Sequence, residues 1–169
     1  APVEYPEVGV YHPRMDISAP GHVSGHMSGD IHMLPQVVPA ARAHGRVGLL
    51  LLRSYLLAGN ARHYDGVIAA LEVQGLQVVP AFAAGLDARP AIERFFVQDG
   101  KATVDAVLSL SGFSLVGGPA YNDSRAAEEV LTQMDVPYLA AHALEFQSLP
   151  EWGSSERGLL PVESTIMVA

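Results

Sequence analysis

Short runs of β-branched and aliphatic residues alternate with helical patterns from residue 46 onward. Residues 47–52 form an almost unbroken apolar run, which is expected for a strand covered by helices on both faces. Apolar positions at helical spacing follow from about His63, and Gly75 supplies a residue suited to ending that helix. This alternation predicts βαβ units and a mostly parallel sheet.

The same periodicity predicts the other elements of this part of the chain. They are a strand over 76–82, a helix over 88–97, a strand over 104–110, a helix from Asp123 or Ser124 to about Met134, a strand from Val136 toward Leu144, and a short helix over 150–155. Connections of this length, with right-handed crossovers, predict an α/β fold with three layers and a doubly wound sheet of the flavodoxin or Rossmann type.

Residues 1–45 differ from the rest of the chain in composition and pattern. They hold five of the seven histidines and half of the twelve prolines, and their apolar residues show little periodicity. They are predicted to be an irregular arm or linker, followed by an α/β domain over 46–169. The chain stops inside an apolar run without a cap, so we expect this domain to be truncated at its carboxyl terminus. His22, His26 and His32 lie near Asp30 and are either a zinc or nickel site or, because glycines separate them, no site at all.

Composition narrows the function classes. The chain has 169 residues and a formal net charge of −8, and its arginines form no basic stripe, which disfavours nucleic acid as a partner. It has no cysteine, which excludes thiolate chemistry. The absence of cysteine also fits a cytoplasmic location, and the longest apolar run is too short for a transmembrane segment.

Candidate chemistry is expected beyond the carboxyl ends of the strands, at residues 53–63, 83–89, 111–122 and 142–152. In the loop 111–120, Phe113 offers a flat face, while Gly117 and Gly118 let backbone approach a ligand; a plain long turn is the alternative. This loop lacks the lysine of a phosphate-binding loop. His63 begins a predicted helix, whose amino terminus favours the neutral imidazole, although an ordinary polar cluster explains His63 and Tyr64 equally well.

Two further candidates lie at the end of the fourth predicted strand, and a third lies in the short helix predicted after it. His142 and Glu145 would bind a metal or exchange protons, with a purely structural role as the alternative. Trp152 is either a core residue or a lid over a flat ligand.

The amino-acid sequences of the strand-end loops resemble those of the large subunits of magnesium chelatases, which are related to the cobaltochelatase large subunits. The similarity extends through nearly all of residues 46–169. In the arm, residues 5–9 and 12–13 also resemble the sequences of this family. The stretches that carry it are VGLLLLRS, GNARHY, VIAALE, PAFAAGLD, GFSLVGGPA, DVPY, FQ and EW.

This resemblance implies a fragment of a porphyrin-binding subunit that inserts Mg²⁺ into protoporphyrin IX in (bacterio)chlorophyll synthesis. It implies ATP hydrolysis on AAA+ partner subunits rather than here, further domains of the same subunit as partners, and a cytoplasmic or plastid-stromal location. His63 is the implied catalytic residue, since insertion requires removal of two pyrrole protons. The implied porphyrin pocket or its support comprises Tyr64, Phe113, Gly117, Gly118, Gln147 and Trp152, while metal ligands remain unassigned.

The chain departs from the family pattern at residues 54–61. The family has Ser-His-x-x-Thr-Gly-Asp-Asp there, whereas this chain lacks that histidine and both carboxylates, a loss that would weaken metal handling. A divergent paralogue is therefore one alternative. A docking module without ligand contact is a second, and a free-standing flavodoxin-like binder of small ligands is a third.

Overall fold

The computed structural model describes residues 4–16, 18, 26–118, 121–144 and 146–168, with side chains described as far as residue 165. In chain order the strands are β1 (Val8–Tyr11), β2 (Met27–Ser28), β3 (Gly45–Leu52), β4 (Leu76–Ala83), β5 (Val97–Gln98), β6 (Lys101–Ala102), β7 (Ala106–Ser109), β8 (Gly117–Gly118), β9 (Tyr121–Asn122) and β10 (Tyr138–Ala140). The helices are α1 (Arg53–Leu57), α2 (Arg62–Val73), α3 (Arg89–Phe95), α4 (Ser124–Met134), α5 (Leu149–Ser154) and α6 (Pro161–Val168).

A six-stranded sheet in the order β10, β7, β3, β4, β1, β2 organises these elements. The strands β10, β7, β3 and β4 are mutually parallel, and β1 runs antiparallel to β4 and β2 antiparallel to β1. The strand β4 lies on one side of β3, and the next strand of this sheet along the chain, β7, lies on the other side of β3. The direction in which strands are added therefore reverses between β3 and β7. The predicted α/β fold with a mostly parallel sheet is confirmed.

Helices cover both faces of the sheet, because side chains of β3 point alternately to two cores. Leu49 and Leu51 pack in a cluster with Tyr64 and Ile68 of α2. Leu50 belongs to the opposite cluster, which contains side chains of α3 and Met134 of α4. The predicted three layers therefore follow from strict alternation along one strand.

Gly48 shows how closely one helix approaches the sheet. A Cβ atom placed at Gly48 would lie 2.7–2.9 Å from three ring carbons of Phe96. No side chain fits between this strand and the ring, so glycine allows Phe96, which is fully buried, to lie flat against β3.

The expectation of an irregular arm over residues 1–45 is wrong for β1 and β2, which lie in the main sheet. Val10 and Tyr11 are buried in the cores on opposite faces. Gly9 allows the close pairing, since its Cβ position lies 2.5 Å from the carbonyl oxygen of Ser28 and 2.7 Å from the Phe82 ring. Strands of four and two residues are too short to produce a clear period. The domain boundary near residue 45 stays a prediction.

Hydrogen bonds and one ion pair around the buried carboxylate of Glu72 hold this arm on α2. The Nδ1 atom of His12 accepts a hydrogen bond from the backbone N–H of Arg14, so Nε2 carries the proton and donates it to Oε1 of Glu72 at 2.9 Å. The guanidinium of Arg14 pairs with Oε2 of Glu72. Tyr11 donates to Asp65 at 2.7 Å. Because Asp65 and Glu72 are seven residues apart, about two turns, they lie on one face of α2.

Other predicted elements are found with small changes at their ends. The helix expected from about His63 begins at Arg62, and Asp123 caps α4 by accepting from Ala126 N at 2.9 Å. The strand expected to run toward Leu144 stops at Ala140. The short helices α1 and α6 were not predicted. No helix among the described residues is long and apolar enough to cross a membrane.

Burial of His12 makes stability depend on pH. Burial, the largest effect, lowers the pKa of His12 despite the opposing influence of Glu72. Below the ordinary histidine pKa of about 6.5, His12 takes up a proton in the unfolded chain, whereas in the folded chain it stays neutral until a lower pH. The free energy of unfolding, measured by urea titration, is therefore expected to fall between about pH 7.5 and pH 5.5.

The contribution of His12 is isolated by substitution. A His12→Gln variant is expected to lose part of this pH dependence, whereas His32→Gln, at an exposed histidine, is expected to retain it. An identical pH dependence in the wild type and in His12→Gln would show that this imidazole is not the titrating group.

Candidate functional site

The carboxyl ends of β3, β4 and β7 meet where the winding of the sheet reverses, which is the usual ligand side of a doubly wound fold. A small cavity of about 30 Å³ lies there, bounded by residues 50–52, the loop after β4 and the loop after β7. It has room for little more than a water molecule or two. A larger ligand would lie across the surrounding surface, which we call the rim and define as residues 84–88 and 111–118.

Two loops form this rim and are tied to each other. Ala88 N–H donates to the carbonyl of Leu115, and Gly117 N–H donates to the carbonyl of Leu86, each at 3.0 Å. Asp87 accepts hydrogen bonds from the Arg89 guanidinium at 2.6–3.0 Å, and these bonds lower the pKa of its carboxyl group. The rim is therefore a connected surface rather than two independent loops.

The loop after β7 presents an aromatic ring and hydroxyl groups to the cavity. Phe113 and Ser114 both line it, as does Ser111. Ser111 Oγ accepts from Phe113 N–H at 3.3 Å and lies 3.1 Å from Ser109 Oγ. Ser114 Oγ is buried and has no hydrogen-bond partner in the described part of the chain. Of the residues predicted for the ligand, Phe113 is the one that lines the cavity.

Gly117 and Gly118 are needed for packing within the rim. Gly117 has a φ of 107°, and a Cβ there would overlap the carbonyl oxygen of Tyr121 in the β8–β9 hairpin. A Cβ on Gly118 would overlap Cδ1 of Leu86. The space that was expected to admit a ligand at Gly118 is thus occupied by Leu86. Pro119 and Ala120, the end of the predicted loop, lie outside the described residues.

His63 and Tyr64 belong to an aromatic cluster at the start of α2. The His63 side chain is exposed, and its ring lies 3.9 Å from that of Tyr64 and 5.3 Å from that of Tyr55 between centroids. Tyr64 is fully buried, which raises the pKa of its phenol to about 12. Its oxygen accepts a hydrogen bond from Leu52 N–H at 3.1 Å. Tyr64 therefore supports the end of β3 from the core.

The predicted residues near the carboxyl terminus do not line the cavity. Gln147 is buried, where its Oε1 accepts from Leu160 N–H at 3.0 Å and its Nε2 donates to the Gly158 carbonyl at 3.1 Å. Trp152 lies on α5 and is 48% exposed. His142 is exposed, and Glu145 lies outside the described residues.

Sequence reasoning missed two buried acidic residues. Glu163 is 1% exposed, and its Oε1 accepts from the N–H groups of Phe146 and Gln147 at 2.6 and 3.0 Å. The position of Glu163 among the apolar residues around α6 is a sequence feature that could have indicated its burial. Glu72 gave no such signal, because its partner His12 is 60 residues away. Among the described residues, which exclude His22, no three histidine or acidic side chains are grouped to hold a metal ion.

Comparison with known proteins gives a match over the whole chain. The family model described as CobN/Magnesium Chelatase matches residues 1–169. The magnesium-chelatase H-subunit of Cereibacter sphaeroides is 54% identical over 169 residues, and that of Rhodobacter capsulatus is 53% identical. Both alignments cover 100% of this chain and 13% of the relative, so the chain spans about an eighth of the length of these relatives.

More distant relatives match over a shorter part of the chain. The chloroplastic magnesium-chelatase subunit ChlH of Oryza sativa subsp. japonica is 45% identical over 125 residues, which is 73% of this chain and 9% of the relative. A solved structure, the catalytic subunit of cobaltochelatase from Mycobacterium tuberculosis, superposes with a TM-score of 0.54 at 24% identity. The superposition covers 73% of this chain and 11% of the cobaltochelatase chain, and it supports the α/β fold.

The bond between Tyr64 and the end of β3 is open to a direct test. Tyr64→Phe removes the acceptor for Leu52 N–H and is expected to lower the free energy of unfolding by about 1 kcal/mol. Tyr121→Phe, at a residue that is 68% exposed, is the matched control and is expected to change it by less than about 0.5 kcal/mol. Equal values in urea unfolding would show that the Tyr64 hydroxyl does not stabilise this strand end.

Proposed function

The chain belongs to the CobN/magnesium chelatase family, and we propose that it is a segment of the porphyrin-binding subunit of a magnesium chelatase. In this proposal the complete enzyme inserts Mg²⁺ into protoporphyrin IX for (bacterio)chlorophyll synthesis. The similarity to the bacterial magnesium-chelatase H-subunits along all 169 residues is the observation that carries it. The proposed compartment is the bacterial cytoplasm, or the plastid stroma in a eukaryote.

Within that large subunit, we propose that the rim forms one wall of the porphyrin site. The cavity beneath it is too small for a macrocycle, so porphyrin would lie across the rim. Phe113 lines the cavity there, while Leu86 is 38% exposed and Tyr121, in the adjoining hairpin, is 68% exposed. Apolar and aromatic side chains of this kind suit the face of a flat aromatic ligand. Other domains of the subunit would supply the opposite wall.

His63 is the proposed proton acceptor of this segment. Insertion exchanges one Mg²⁺ for two pyrrole protons, and Mg²⁺ must also lose bound water. His63 lies exposed in the first turn of α2, where its imidazole is accessible, and an imidazole is the commonest general base in proteins. It would take a pyrrole proton and pass it to water. We assign no Mg²⁺ ligand to residues 54–61, which lack the histidine and carboxylates of the family pattern.

ATP is proposed to bind to AAA+ partner subunits rather than to this segment. The loop that follows β7 has no lysine, which a phosphate-binding loop requires. ATP hydrolysis on the partner subunits would drive conformational changes in the large subunit, and this segment would move with the rest of that subunit.

A docking module is the second candidate, and exposed apolar residues near the carboxyl terminus favour it. Phe146, Leu149 and Trp152 are 64%, 69% and 48% exposed. Such side chains are commonly buried against a neighbour. In this interpretation they contact another domain of the subunit or an ATPase partner, and the rim has no ligand.

The role of His63 is tested in the complete large subunit assembled with its ATPase partners. His63→Ala is expected to lower the rate of Mg²⁺ insertion about a hundredfold, the usual effect of losing a positioned base, with porphyrin affinity little changed. Arg62→Ala, at the adjacent exposed residue of the same helical turn, is the control. An unchanged insertion rate in His63→Ala would remove this residue from the chemistry.

The rim is tested by porphyrin binding to the same large subunit. Phe113→Ala is expected to raise the dissociation constant about fivefold, since an aromatic contact contributes about 1 kcal/mol. Phe146→Ala, at an exposed aromatic residue outside the rim, is expected to leave it unchanged. If Phe113→Ala has no effect while Phe146→Ala and Trp152→Ala weaken assembly with the ATPase partners, the docking function is supported instead.

A further inference from the structure

A second and larger pocket lies at the opposite end of β3 from the rim. It is an open pocket with a volume of about 370 Å³, lined by residues of the arm segment 31–40, by residues near the start of β3 and β4, and by Glu72 at the end of α2. We call it the amino-terminal pocket. Its volume falls within the usual range for small-molecule sites, and none of the residues assigned to the rim lines it.

The arm contributes most of the apolar side chains of this pocket, and a hydrogen bond from Gln77 fastens it to β4. Asp30 accepts a hydrogen bond from His32 N–H at 2.9 Å, which holds a 3₁₀ turn over Ile31–Met33. Gln77 of β4 donates to the carbonyl of Val38 at 3.0 Å. Between these two bonds the residues that line the pocket are Leu34, Pro35, Gln36 and Val37. The bond from Gln77 thus fixes the arm side of the pocket to the sheet, and the Asp30 bond fixes the local turn that precedes it.

Arg46 places a cation on the wall of this pocket. Within the described part of the chain, its guanidinium has no hydrogen bond or ion pair; the nearby Asp105 accepts instead from Arg46 backbone N–H at 2.7 Å. Glu72 also lines the pocket, but its two oxygens are paired with His12 and Arg14. Arg46 therefore offers its planar group of donors to whatever fills the pocket.

We propose that the amino-terminal pocket binds a small carboxylate that carries an apolar body. The guanidinium of Arg46 would hold the carboxylate through two parallel hydrogen bonds. The arm would cover the apolar part, and His32, at the exposed side of the pocket, would be a second donor. A nucleotide or polyphosphate fits poorly, because it needs several cations and Arg46 is the one arginine or lysine among the described residues that line this pocket.

Octanoate is a suitable probe, with octanamide as its neutral analogue. Calorimetric titration of the full-length protein is expected to show saturable binding of octanoate and binding of octanamide at least about tenfold weaker, because the charged hydrogen bonds are lost. Arg46→Gln is expected to weaken octanoate binding about tenfold or more. Arg42→Gln, at an exposed arginine that does not line the pocket, is the matched control.

Two further variants keep the test independent of folding and of the rim. Val37→Trp fills the pocket from the arm side and is expected to abolish octanoate binding while the circular dichroism spectrum stays unchanged. His63→Ala is expected to retain full octanoate affinity. The proposal is overturned if octanoate shows no saturable binding, if octanamide binds equally well, or if Arg46→Gln binds octanoate as tightly as Arg42→Gln.

Discussion

The buried carboxylate of Glu72 constrains the whole amino-terminal part of the molecule. A charge removed from water is costly unless it is paired and hydrogen-bonded, and α2 offers no partner of its own. His12 and Arg14 supply both partners, but they lie on the arm. The arm must therefore return to α2, and β1 accordingly lies beside β4 as an added antiparallel strand.

The position of the arm has a consequence beyond its own stability. After β2 the chain continues over the first residues of β3 and β4, where the bond from Gln77 holds it and the amino-terminal pocket forms. The strand β3 joins this pocket to the rim. Its eight residues span roughly 26 Å, so the rim and the amino-terminal pocket lie at opposite ends of one strand.

The rim is a connected surface that this short segment builds from its own loops. Its loops are joined by backbone hydrogen bonds, and the end of β3 is supported by Tyr64 from the core, so the surface is preorganised. The space enclosed beneath it is small. In the proposed function this surface forms one wall of the ligand site, and the relatives of this chain, of which it covers 13%, have further sequence from which to build the other wall.

Local periodicity in the sequence determined the central layers, because a strand buried on both faces and an amphipathic helix each have a repeating apolar pattern. The strand-end motifs determined the family, and position after β7 placed Phe113 on the cavity. Tertiary structure alone decided that β1 joins the sheet, that Glu72 pairs with His12, and that Tyr64 and Gln147 are internal supports. Those outcomes depend on contacts between residues far apart in the chain, and a local pattern of polar and apolar residues does not encode which distant partner a buried polar group will meet.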